Sequence, residues 1–128
     1  MPPIHIDLDW ADGTYRFALP VAQLRDLQHK TGIGPLALYN RLLSGQWRVD
    51  DMGEVLRLGL IGGGLSPVAA LEKTRAYVDP RPLTESVDPA LRVLERALLP
   101  APGEEDGAGS DDGTGSDALK KSLTILPD

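Results

Sequence analysis

The 128-residue chain has no cysteine, two histidines and one phenylalanine, and its aromatic share is only 5%. Without thiols there are no disulfides and no thiolate metal sites, which fits a reducing compartment. Clustered positive charge is also missing, since 13 Lys and Arg face 19 Asp and Glu for a net charge of −6. Displacing counterions from phosphates requires such clusters, so nucleic acid is excluded as a direct partner. The longest run of apolar residues and glycine, Leu58 to Leu65, falls well short of the roughly 18 residues a membrane helix needs. The N-terminus, Met1-Pro2-Pro3-Ile4-His5-Ile6-Asp7, has no basic stretch ahead of an apolar one. The expectation is a soluble, unsecreted protein with no membrane contact.

What is present divides unevenly along the chain. A 41% hydrophobic share supports one modest core in one domain. Residues 1–100 hold 11 basic and 12 acidic side chains, whereas residues 101–118 hold six acids, five glycines and no base. Ordering that segment would cost backbone entropy with almost no burial in return. Three parts are therefore expected: a folded body over 1–100, a flexible acidic linker over 101–118, and a short apolar tail over 119–128.

The expected fold class is α+β, mostly helical, with an N-terminal β-hairpin followed by a compact bundle of four to five short helices and a disordered acidic C-terminal linker. Ile4, Ile6, Leu8 and Trp10 alternate with His5, Asp7 and Asp9, the two-residue period of a half-buried strand. Ala11-Asp12-Gly13 reads as the turn, with glycine supplying positive φ, and Thr14 to Leu19 as the return strand. Pro20 opens a first helix with Val21, Leu24 and Leu27 inward, stopped at Thr31-Gly32. A second begins at Pro35 with Leu36, Tyr39, Leu42 and Leu43 on one stripe. Asp50 and Asp51 suit the cap and first turn of a third, where carboxylates complement the helix dipole, and Gly62-Gly63-Gly64 ends it. Ser66-Pro67 starts a fourth with Val68, Leu71, Arg75 and Val78 on one side, and Asp79-Pro80-Arg81-Pro82 terminates it. A fifth covers about Leu83 to Leu99, with a restart near Asp88-Pro89 and Leu91, Leu94 and Leu98 inward.

No stretch of the chain builds a reaction centre. His5, Asp7 and Asp9 share one strand face, but a solvated face explains them without a metal, since rigid ligation needs partners from elsewhere. Gly32-Ile33-Gly34 follows a helix rather than a strand, so it reads as a helix cap and not as a dinucleotide loop. Gly62-Gly63-Gly64 has no Lys-Ser or Lys-Thr behind it and reads as a loop. Ser44, Ser66, Ser86 and Ser110 lack a nucleophile-elbow context. One Gly-Ala-Gly-Ser-Asp copy at 107–111 cannot form the stacked turns of a calcium repeat. The expectation is no enzyme, no catalytic residue, no cofactor and no metal. Trp47 and Tyr39 are the natural aromatic anchors for a core or an interface. Leu123, Ile125 and Leu126 in the tail could dock as an added strand on a sheet edge, with the linker supplying reach. Trp47, Leu123, Ile125 and Leu126 are the candidate partner-binding residues.

An ordered series of short motifs adds to this reading. It comprises Tyr15-Arg16-Phe17, Leu24-Arg25-Asp26-Leu27-Gln28, Lys30-Thr31-Gly32-Ile33-Gly34-Pro35, Arg41-Leu42, Ser44-Gly45, Trp47-Arg48-Val49-Asp50-Asp51, Arg57-Leu58-Gly59-Leu60-Ile61-Gly62-Gly63-Gly64, Tyr77-Val78-Asp79 and Arg81-Pro82-Leu83. Over about Tyr15 to Val93 the chain resembles the gene-transfer-agent family of tail assembly chaperones, also described as tail tube related proteins of phages and prophage-like elements. The resemblance implies a noncatalytic factor in the cytoplasm of a bacterial host. Such a factor binds the apolar tape measure protein during tail assembly until tube subunits, a further partner, replace it. The alternative is a structural, tail tube-associated component retained in the particle. Self-association into a homo-oligomer is left open.

Overall fold

The computed structural model describes residues 4–100. The chain divides into two units, Met1–Leu98 and Leu99–Asp128, and nearly all the described residues belong to the first. The expected linker over 101–118 and tail over 119–128 lie outside the described residues.

The fold runs as a hairpin, β1 (Ile6–Trp10) and β2 (Gly13–Phe17), then helices α1 (Val21–Thr31), α2 (Pro35–Leu43), α3 (Asp51–Gly62) and α4 (Pro67–Tyr77). A single 3-10 turn (Leu83–Ser86) then leads directly into α5 (Val87–Leu98). This is the expected hairpin followed by helices, at the upper end of the expected four to five. The strands are antiparallel, with Ile6 opposite Phe17, Leu8 opposite Tyr15 and Trp10 opposite Gly13. The loop is Ala11-Asp12 alone, and the positive φ falls on Ala11 at 57°. Gly13 is instead the first residue of β2, so the turn carries the sign pattern of a II′ reversal without glycine at its first position.

Helix boundaries follow the local chemistry. Gly32 takes a left-handed conformation at φ 78° and returns its N–H to Gln28, closing α1 as a glycine cap does. The Ser66 hydroxyl accepts from Ala69 N–H at 3.2 Å, with Pro67 at the first helical position of α4.

α3 is the central helix and packs against β2, α1, α4 and α5. Met52, Val55, Leu56, Leu58 and Leu60 are all buried on it, so it is apolar nearly all round, as a helix enclosed by neighbours must be. Gly62 is its last helical residue, while Gly63 caps it and Gly64 lies in the turn that follows. A Cβ on Gly62 would stand 1.9 Å from the Ala18 carbonyl oxygen, and one on Gly63 would stand 2.0 Å from that of Arg16. Only glycine lets the helix backbone lie against the end of β2, where Ala18 N–H donates to the Gly59 carbonyl at 2.9 Å.

Three inward faces differ from expectation. On α1, Leu27 and Thr31 are buried while Val21 is exposed; on α2, Leu38, Tyr39 and Leu42 are buried while Leu43 is exposed. On α4 and its C-cap the buried row is Ala70, Thr74 and Val78, which leaves Val68 at 67% and Leu71 at 38% exposure. The buried threonines satisfy their hydroxyls inside their own helices, Thr31 to the Leu27 carbonyl at 2.8 Å and Thr74 to the Ala70 carbonyl at 3.2 Å.

Candidate protein-binding surface

The Asp50-Asp51 pair does more than complement a dipole. Asp50 occupies the N-cap without a side-chain cap bond, while Asp51 is 2% exposed. Its carboxylate accepts two parallel bonds from Arg41, at 2.9 and 2.8 Å, and a third from Arg48 N–H at 2.7 Å. A bidentate guanidinium is the partner best able to offset desolvation of a buried carboxylate. The pair ties α2 to the start of α3 and fixes the connection that carries Trp47.

Trp47 is half-buried and packs against the core. Its neighbour Val49 is 67% exposed and lines a shallow groove of about 130 Å³ with Leu71, Gly53 and Val78. The rim carries Arg75 and an Arg57–Glu54 ion pair of 2.7 Å. Val68 lies one turn before Leu71 on the outer face of α4. Trp47 therefore sits in the connection that presents an exposed aliphatic residue, while Leu123, Ile125 and Leu126 lie outside the described residues. Tyr39 belongs to the core: its hydroxyl donates to Glu95 at 2.8 Å, and burial, then that carboxylate, pushes its pKa up to about 12.

The aromatic grouping that sequence reading missed is Trp10, Tyr15, Phe17 and Tyr77. The Trp10 ring meets the other three edge-on at 5.7 to 6.2 Å between centroids. Lys73 of α4 lies over Tyr15 and Tyr77, at 5.3 and 5.6 Å, and pairs with Asp12 in the hairpin loop at 2.9 Å. The Tyr15 hydroxyl also donates to Asp12. The bonds from Tyr15 and then Lys73 hold the Asp12 pKa down at about 2. The Lys73 pKa is raised by hydrogen bonding with Tyr15 and then Asp12. These contacts staple the hairpin tip to α4. The alternate spacing of Trp10, Tyr15 and Phe17 signalled a shared strand face, but nothing local pointed to Lys73 or Tyr77.

Several ionisable groups near the hairpin are held in local contacts. His5 stands 3.9 Å from Asp7, while Asp9 accepts from the Thr14 hydroxyl at 2.6 Å. No group of three or more His, Cys, Asp or Glu among the described residues is placed to hold a metal ion. Ser66 caps α4, Ser44 bonds the Arg41 carbonyl at 3.3 Å and Ser86 is buried. No described buried side-chain polar atom lacks a partner. No described helix is long and apolar enough to cross a membrane. Val49, Val68 and Leu71 are the large apolar side chains that the surface around α4 exposes.

Comparison with curated proteins and with solved structures finds no match. A family profile described as phage tail tube protein, GTA-gp10, matches residues 4–99. That span takes in the whole described hairpin and all five helices, extending past both ends of the Tyr15–Val93 resemblance, and its description names the tube rather than a chaperone. The chain therefore belongs to the GTA-gp10 family of phage tail tube proteins.

Proposed function

We propose that the protein is a noncatalytic structural component associated with the tail tube of a phage or gene-transfer-agent-like particle, and that it stays in the finished particle. The observation that carries this reading is the match of the entire helical body to a tail tube family. The exposed Val49, Val68 and Leu71 agree with a surface that meets other tail proteins. Quantitative mass spectrometry of purified particles tests it, with the chain expected at a fixed ratio to the tube subunits. Presence in producing cells together with absence from particles would refute it.

That second outcome would favour a transient chaperone of the tape measure protein in the host cytoplasm. Val49, 67% exposed and two residues from the half-buried Trp47, offers such a partner an apolar contact. In that reading the body over 1–100 and the tail over 119–128 act together, with residues 101–118 as the tether, and Trp47, Leu123, Ile125 and Leu126 make contact. Coexpression should then raise the soluble yield of the tape measure protein. Trp47→Ala and deletion of 119–128 should each weaken its capture. Unchanged yield and unchanged capture would remove the chaperone reading.

A further inference from the structure

Antiparallel pairing alternates between residues that exchange both backbone hydrogen bonds and residues whose N–H and C=O point away from the partner strand. The two-residue loop makes Trp10 and Gly13 a bonded pair, and with them Leu8–Tyr15 and Ile6–Phe17. The backbone groups of Asp7 and Asp9 therefore point outward from β1, and those of Thr14, Arg16 and Ala18 outward from β2. The bond from Ala18 N–H to Gly59 fixes the same alternation independently.

The end of the β2 edge is covered by α3 at Arg16 and Ala18, whereas the β1 edge opens at Asp7 and Asp9. At its start, the His5 carbonyl accepts from Arg96 Nε of α5 at 3.3 Å. Two and four residues later, Asp7 and Asp9 make no backbone bond beyond the hairpin. Beside them runs a cleft of about 610 Å³, with Asp7 to Ala11 on one wall and Glu85, Asp88, Pro89 and Arg92 on the other. Of its four carboxylates, Asp7 has Arg16 at 3.4 Å, Glu85 has Arg81 at 3.0 Å and Asp88 has Arg92 at 3.1 Å. All three are exposed pairs that an incoming base can replace, while Asp9 accepts only from the Thr14 hydroxyl among the described residues. Asp7 and Asp9 alternate with the buried Leu8, so their side chains stand on the wet face of the edge strand.

The geometry points to β1 as an acceptor edge for an added strand supplied by another polypeptide, an extended segment with lysine or arginine at alternate positions and apolar residues between. Backbone pairing with Asp7 and Asp9 supplies the attachment. Basic side chains then stand opposite the two carboxylates, and the intervening apolar ones lie beside Leu8. A second copy of this hairpin is the wrong occupant, because edge-to-edge pairing sets Asp7 and Asp9 against their own counterparts.

The test uses the full chain and two short synthetic peptides, one alternating lysine with valine and the other glutamate with valine. The lysine peptide should bind and slow amide exchange at Asp7 and Asp9, while the glutamate peptide should not bind. Asp9→Pro removes one outward N–H at an edge position that tolerates proline. It should weaken the lysine peptide about tenfold, as should Asp7→Lys with Asp9→Lys, through loss of paired backbone and cross-strand charge. The charge-reversed variant, which leaves every backbone donor in place, should also admit the glutamate peptide. Asp9→Pro takes away both an outward N–H and a carboxylate, so unchanged lysine-peptide affinity in that variant with the hairpin intact would overturn the proposal. Exchange protection elsewhere, or concentration-dependent self-association that protects Asp7 and Asp9 without peptide, would also overturn it.

Discussion

The two edges of the hairpin receive opposite treatment. Along β2, glycines at 62 and 63 let the end of α3 come so close that the carbonyls of Arg16 and Ala18 leave no room for a side chain. Along β1, two aspartates hold their backbone groups toward an open cleft. A two-stranded ribbon is marginal by itself in water, so one edge and one face must be covered for it to persist. Covering only one edge stabilises the sheet while leaving the other to recruit a strand. The acids on the open edge discourage self-pairing.

The comparison is most sharply broken at the closed edge. Gly62→Ala combined with Gly63→Ala should cost about 3 kcal/mol or more, because each Cβ meets a backbone carbonyl that cannot swing aside. Urea unfolding should show a collapsed or absent transition, and a near-normal midpoint would mean that α3 does not lie where described. Next comes the opposite end of the same helix. Arg41→Ala strands the buried Asp51 carboxylate and should cost about 3 kcal/mol, the scale for removing one partner of a buried pair. Thermal unfolding would register that loss, and a shift no larger than for an exposed ion pair would contradict the described burial.

At the open edge the expected effect on stability is slight. Asp7→Lys with Asp9→Lys should cost about 1 kcal/mol or less, through loss of the exposed Asp7–Arg16 pair and the Thr14–Asp9 bond, while changing peptide choice as above. A large loss in urea would show that the carboxylates support the body. The smallest effect belongs to the tip. Asp12 has its pKa lowered from 3.8 to about 2, so the deprotonated form is favoured by folding. Its stabilising contribution is complete above pH 3.8 and is lost as pH falls through about 2. Solvent exposure of the pair keeps the contribution small. Carbon-detected NMR titration should place the Asp12 midpoint near 2, and Lys73→Ala should move it up toward 3.8. No movement would remove Lys73 from the staple.

Much of this body was legible before its shape was known. The alternation of Ile6, Leu8 and Trp10 marks a strand because side chains in a strand change face at every residue. Ser66-Pro67 and Gly32 mark helix ends because their backbone and side-chain chemistry satisfies groups that helix termini leave unpaired. The inward faces of α1 and α4 were not legible. Their apolar residues allow more than one stripe, and a threonine that bonds its own helix reads as outward until a neighbour covers it. Asp51 reads as an ordinary first-turn acid, since only the approach of α2 brings Arg41 to it.

The sequence by itself determined the local vocabulary: a hairpin, four or five helices, most of their ends, and an acidic segment beyond the body. These depend on backbone geometry and side-chain period within a few residues. The tertiary structure alone decided which helix faces are covered, that Gly62 and Gly63 answer to the carbonyls of β2, and that Asp51 is buried against Arg41. It also decided that one hairpin edge is covered at its end while the other stays open. Each of those depends on atoms distant in the chain meeting within a few ångströms, and on whether a burial cost is offset by the partner found there.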